Sequence, residues 1–96
     1  MRFKIIAVCG FGVGSSMMLK MKVDEMLRKN GISVSAETAD VGTATSVPCD
    51  VIFTSKELAP KISEKVNVPV IAITNFLSIQ EIESKGLSIV KELLNK

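Results

Sequence analysis

Apolar residues in this chain gather in short branched runs separated by amphipathic stretches. Phe3-Lys4-Ile5-Ile6-Ala7-Val8 is the first run, and its nearly continuous apolar character predicts a strand over 3–8 that is buried on both faces. A glycine-rich loop spans 9–14. Residues 16–29, rich in Met, Leu, Lys and Glu, predict a helix, with Ser15 and Ser16 as N-cap candidates. On a helical wheel Leu19, Val23, Met26 and Leu27 share one apolar face, while Met17 and Met21 fall nearly opposite. Asn30-Gly31 supplies the stop, because glycine just past a helix accepts a left-handed backbone.

Residues 32–38 alternate as a second strand, 39–49 show no clear pattern, and 50–54 form a third strand centred on Val51-Ile52-Phe53. Thr54-Ser55-Lys56-Glu57 has the spacing of a capping box and predicts a helix reaching about residue 65. Pro60 inside that span implies a late start or an irregular course. Residues 68–73 form a fourth strand, and Pro69 near its beginning places it at a sheet edge. Ser78 with Glu81 makes another capping box, opening a last helix to about residue 95 with Gly86 as a candidate interruption. This β-α-β-β-α-β-α alternation predicts a Rossmann-like α/β fold: an open four-stranded parallel sheet of order 2-1-3-4, with helices on both faces and right-handed crossovers. Ligands in such folds bind beyond the carboxyl ends of the strands, which here carry Cys9, Thr54-Ser55 and Thr74-Asn75.

Composition narrows the chemistry. The 96 residues are 47% hydrophobic and 23% charged, which suits one small ordered domain over 1–96. A net charge of +2, with basic and acidic residues interleaved, speaks against nucleic acid as partner. The absence of His excludes histidine base catalysis, histidine-containing triads and His-ligated metal. Cys9 and Cys49 lie too far apart for a redox pair and too few for a zinc site, and they read as reduced thiols. No metal or cofactor is expected. The run after Arg2 and Lys4 is too short for a leader or a membrane span, and Val8 is a poor cleavage residue, so the expected location is the cytoplasm.

The segment with chemical content is Cys9-Gly10-Phe11-Gly12-Val13-Gly14-Ser15-Ser16, between the first strand and the first helix. Alternating glycines let successive N–H groups turn inward, and the following helix adds its free N–H groups and positive dipole end. The product is an anion nest sized for phosphate with a sulfur at its lip. Such a nest lowers the pKa of the Cys9 thiol and holds phosphoryl oxygens around it, so Cys9 is the candidate nucleophile and phosphorylation site. A Walker loop is excluded because no Lys follows the glycines, and the dinucleotide fingerprint because the spacing is G-x-G-x-G. A low-molecular-weight tyrosine phosphatase also carries Cys after its first strand, but with an Arg six residues later, where this chain has Ser15. The chain's arginines are Arg2 and Arg28, and it has no Asp-Pro acid segment. A phosphocysteine formed here would therefore wait for an acceptor other than water.

In these residues the chain resembles the enzyme IIB components of the phosphoenolpyruvate-dependent sugar phosphotransferase system. The run from Ile6 to Asp24 looks most like the L-ascorbate type, and Asp50-Val51-Ile52 and Ile73-Thr74-Asn75-Phe76-Leu77-Ser78 also fit it. Residues 40–49 depart from that type. The resemblance implies that a phosphohistidine on a IIA partner donates its phosphoryl group to Cys9. The phosphocysteine then passes it to sugar bound by a membrane IIC transporter, with no metal needed. It further implies that Gly10, Phe11, Gly12, Val13, Gly14, Ser15 and Ser16 form the phosphoryl-binding loop. A small cysteine phosphatase relative and a non-catalytic regulatory phospho-acceptor module are the alternatives. Aryl phosphate hydrolysis separates off the first, and dispensability of Cys9 the second.

The remaining candidates have two readings each. Ser15 and Ser16 are helix caps, phosphate contacts or both. Met17 and Met21 either pack on the last helix or form an adaptable surface for unlike partners. Phe11 and Val13 either tuck inward or form an apolar lip that keeps water out during transfer. Cys49 beside Pro48 lacks a glycine nest and reads as structural or incidental, or else as an oxidative partner of Cys9.

Overall fold

The computed structural model describes residues 3–8 and 13–95. Eight elements alternate along the chain: β1 (Ile5–Val8), α1 (Val13–Lys29), β2 (Ala36–Ala39), α2 (Val41–Ser46), β3 (Val51–Ser55), α3 (Ala59–Ser63), β4 (Val70–Ile73) and α4 (Ile79–Leu94). The strands form one sheet of order β2-β1-β3-β4, and every pairing is parallel. The predicted fold class and strand order are those observed.

The sheet is buried on both faces, as its branched strands require. Ile5, Ala7, Val51, Phe53, Ile71 and Ile73 pack beneath α1 and α4, against Leu19, Val23, Met26, Leu27, Ile82 and Val90. Ile6, Val8 and Ile52 face the other way, onto Ala44 of α2 and Ile62 of α3. All four residues of β1 are at most 2% exposed. The apolar wheel face of α1 is thus the face that seats it. Asp24 adds direction: its Oδ1 accepts from the Ala36 N–H at 2.7 Å and its Oδ2 from Ser35 Oγ at 3.2 Å, tying the helix to the start of β2.

Gly31 is the stop the sequence implies. Its φ is +75°, the Ile32 N–H donates to Leu27 O at 2.8 Å, and the Gly31 N–H donates to Arg28 O at 3.1 Å. This pair of bonds closes the helix and turns Ile32 back into the core beside Leu27. That closure uses residues at the start of the predicted 32–38 strand, so β2 begins only at Ala36.

Four local expectations are corrected. First, α1 begins at Val13 rather than 16, so Ser15 and Ser16 lie inside its first turn and are not its caps. Low helix propensity at Val13 and Gly14 is a weak bias, and the packing of the apolar face overrides it. Second, the patternless stretch contains α2, capped by Asp40, whose Oδ1 accepts from the Thr43 N–H at 2.7 Å. With one buried side chain, Ala44, it has no apolar period to read. Third, Thr54 and Ser55 belong to β3 and form no capping box. Ser55 Oγ instead accepts from the Leu58 N–H at 3.3 Å, and the helix is confined to α3, with Pro60 in its first turn. Fourth, α4 runs unbroken through Gly86. A Cβ there would stand 2.5 Å from Cε2 of Phe53, so the glycine is what lets α4 lie close on β3. The edge position of β4, next to Pro69, is as expected.

Because the Phe53 ring is fully buried, Gly86→Ala forces a core adjustment that exceeds its gain in helix propensity. We expect a net loss of about 1–2 kcal/mol in urea unfolding. An unchanged or higher midpoint would contradict this packing.

Candidate functional site

The carboxyl ends of the four parallel strands lie at one end of the sheet. β1, in the middle, stops at Val8, with Ala39 of β2 on one side and Thr54 of β3 on the other. The chain leaves β1 there and re-enters regular structure at Val13, so the first turn of α1 stands at the same end. The N–H groups of a first helical turn have no acceptor within the helix. That turn contains no acidic residue, so no carboxylate opposes an anion there, while Arg28 and Lys29 complement the dipole at the other end.

Of the predicted site, Cys9, Gly10, Phe11 and Gly12 lie outside the described residues. Val13, Gly14, Ser15 and Ser16 have a described backbone, in the first turn of α1. The structure therefore brings together the frame of the predicted loop: the end of β1, the start of α1, and Thr54-Ser55 alongside. Thr74-Asn75 sits at the same end but beyond β3, at the exit of edge strand β4.

That exit is held by Glu81, a role the sequence did not disclose. Ser78 caps α4 as expected, its Oγ accepting from the Glu81 N–H at 3.1 Å. The reciprocal half of the box is absent, because the Ser78 N–H donates to Asn75 O. The Glu81 carboxylate reaches further back instead, accepting from the Thr74 N–H at 2.6 Å and the Asn75 N–H at 2.8 Å. Lys85 Nζ donates to the same carboxylate at 2.6 Å. The Lys85 bond first, and then the Thr74 N–H, hold the Glu81 carboxyl down at about 2. The spacing of Ser78 and Glu81 announces the helix start but not which N–H groups the carboxylate takes.

On α1, Met17 is 42% exposed and Met21 61%, so both present apolar surface to solvent. Met18, 46% exposed, joins them, which the wheel reading overlooked. Leu77, 56% exposed in the turn after β4, adds an apolar side chain at the carboxyl end of the sheet. Cys49 packs against the α2–α3 side of the sheet. Burial, and then the charge of Asp50, push its thiol pKa up, against a smaller opposing pull from Lys4. A groove lined by Phe3, Lys4, Val34 and Glu37 opens at the amino ends of β1 and β2, away from this site. Among the described residues no helix is long and apolar enough to cross a membrane.

The depressed Glu81 carboxyl has a definite pH signature. Its folded pKa lies below the unfolded value near 4.5, so its stabilising effect is complete above pH 4.5 and is lost as pH falls toward 2. Glu81→Gln should unfold more easily than wild type at neutral pH, with the gap closing between pH 4.5 and 2. The Thr74 and Asn75 amides should exchange several-fold faster in the variant. A gap independent of pH would contradict the clamp.

Comparison with known proteins agrees with this geometry. Residues 4–86 match the family model "PTS system, Lactose/Cellobiose specific IIB subunit". The "Ascorbate-specific PTS system EIIB component" of Salmonella typhimurium is 38% identical over 94 residues, covering 96% of this chain and 93% of that protein. Its counterpart from Escherichia coli O157:H7 is 37% identical over 94 residues, with the same coverage. Among solved structures, the lactose-specific IIB component domain of the phosphoenolpyruvate:carbohydrate phosphotransferase system from Streptococcus pneumoniae superposes with a TM-score of 0.65. At 17% identity over 96% of this chain and 97% of that one, it shares the fold. The match over residues 4–86, together with relatives at 38% identity along nearly the whole chain, establishes that the chain belongs to the IIB subunit family of the sugar phosphotransferase system.

Proposed function

We propose that this chain is a phosphoryl carrier that accepts a phosphoryl group on Cys9 from a IIA partner and delivers it to sugar. The observation that carries the proposal is the family match, joined to a frame in which α1 begins at the end of the central strand. In the first step the Cys9 thiolate attacks the phosphorus of a phosphohistidine on IIA. An S–P bond forms, the P–N bond breaks, and the imidazole leaves with the electron pair and takes up a proton. In the second step a sugar hydroxyl attacks in line. An O–P bond forms, the S–P bond breaks, Cys9 leaves as thiolate, and the hydroxyl proton passes to a base of the sugar site or to water.

Both steps place negative charge on the equatorial phosphoryl oxygens. Backbone N–H groups of Gly10 to Ser16 are the donors for them, reinforced by the dipole of α1, and no cofactor takes part. The acceptor is L-ascorbate or a related sugar, because the named curated relatives are ascorbate-specific. The sugar is presented by a membrane IIC transporter, which keeps this chain at the cytoplasmic face of the membrane. Phe11, Met17 and Met21 form the surface that meets IIA and IIC. Thioethers adapt to unlike partners, and Met18 extends the patch.

The test is intact-protein mass spectrometry after incubation with phosphoenolpyruvate, the general phosphotransfer enzymes and a charged ascorbate-type IIA. Wild type and Cys49→Ser should each gain one phosphoryl group, and Cys9→Ser none. Followed in time, Met17→Glu and Met21→Glu should charge about ten-fold more slowly, each placing a carboxylate in the apolar contact. Retention of the group by Cys9→Ser, or failure of wild type to accept it, would overturn the carrier reading. Unchanged rates in the methionine variants would remove that surface.

A further inference from the structure

Asn30 and Gly31 stand together just past the end of α1, and an Asn-Gly pair has a reactivity of its own. Glycine has no Cβ to shield its backbone nitrogen. That nitrogen can attack the carboxamide carbon of the asparagine before it. A new N–C bond closes a five-membered succinimide. The side-chain nitrogen leaves as ammonia, taking up the proton that the backbone amide loses. Water then opens the ring to aspartate, or to its isomer linked through the side-chain carbon.

The fold restrains both reacting groups. Asn30 Nδ2 donates to Met26 O at 2.8 Å and to Glu83 Oε2 at 2.9 Å. The Gly31 N–H donates to Arg28 O at 3.1 Å. Attack needs the carboxamide to swing toward Gly31 and the Gly31 N–H to leave its carbonyl. The bonds to Met26 and Arg28 lie within α1 and its cap, and they are lost together when the last turn frays. The bond to Glu83 reaches across to α4 and does not depend on that turn. Lys29 Nζ stands 3.8 Å from the same Glu83 oxygen, so one carboxylate holds two neighbouring residues at the end of α1. Gly31 is exposed, with open space where a Cβ would stand, so water has access to the ring.

We propose that Asn30-Gly31 is a self-modification site of this chain, a deamidation site that Glu83 holds in check and whose conversion unties α1 from α4. Conversion replaces the Nδ2 donor by a carboxylate oxygen. That oxygen faces the Glu83 carboxylate and the Met26 carbonyl, at the negative end of the helix dipole. Lys29, the cation beside the pair, is already engaged by Glu83. Two like charges at hydrogen-bond distance repel, so the link between the helices turns from attraction to repulsion. The isomer also adds a methylene to the backbone where Gly31 turns the chain, which displaces the Ile32 N–H from Leu27 O. None of this depends on the carrier reading.

The experiment incubates the full chain at neutral pH and follows conversion at Asn30 by peptide mass spectrometry. Wild type, Glu83→Ala and Gly86→Ala are compared, folded and in urea. In urea all three should convert at one rate. Folded wild type should convert several-fold more slowly than in urea, and folded Glu83→Ala several-fold faster than folded wild type. Gly86→Ala disturbs the core at Phe53 rather than the end of α1, and should follow wild type. Equal rates in folded wild type and Glu83→Ala overturn the proposal, as does a folded wild type that converts as fast as in urea. Equal acceleration in Gly86→Ala also overturns it, because global unfolding is then the cause. The untying is read on the thermal midpoint. Asn30→Asp should lower it, and adding Glu83→Gln, whose amide can donate to the new carboxylate, should restore most of the loss. An Asn30→Asp protein as stable as wild type overturns the untying.

Discussion

Ile5, Ile6, Ala7 and Val8 are sealed between two helical layers, and their backbone is bonded to β2 on one side and β3 on the other. A strand held in this way has no freedom to slide, because a one-residue slip would exchange its two buried faces. The end of β1 is therefore a fixed point, and so is the start of α1, which Leu19, Val23, Met26 and Leu27 press onto the same sheet. The reacting sulfur of the carrier reading is attached directly to that point.

Long, strongly patterned segments were legible in the sequence. The apolar runs of β1, β3 and β4, the wheel face of α1 and the glycine at its end all report interactions that are local or periodic, and they led to the correct sheet order. What escaped was decided by contacts across the fold. Thr54 and Ser55 fit a capping box by spacing, yet pairing with β1 and β4 draws them into the strand. Gly86 reads as a helix breaker until Phe53 is seen beneath it. Asp40 caps a helix too short and too polar to have a period. Glu81 was visible as a cap partner, but its hold on Thr74 and Asn75 depends on how the β4 exit folds back.

The candidate site was legible in a different sense. Cys9 and the glycines after it stand out because that combination has few uses, and the missing Arg and His remove most of them. The described surroundings are the acid-free first turn of α1 and, on the α2–α3 side of the sheet, Cys49, whose thiol pKa burial pushes up. Met17, Met18 and Met21 on α1 and Leu77 at the carboxyl end of the sheet leave apolar surface exposed.

The central claim is that the phosphoryl group is carried on sulfur at the end of β1. Serines follow closely, at Ser15 and Ser16, and a phosphoserine would have the same mass. The phosphorus-31 NMR spectrum of the charged protein separates the two. A phosphorus bonded to sulfur resonates well downfield of a phosphate ester, and the account predicts one such downfield resonance, absent from Cys9→Ser. A resonance in the ester region, retained in Cys9→Ser, would contradict it.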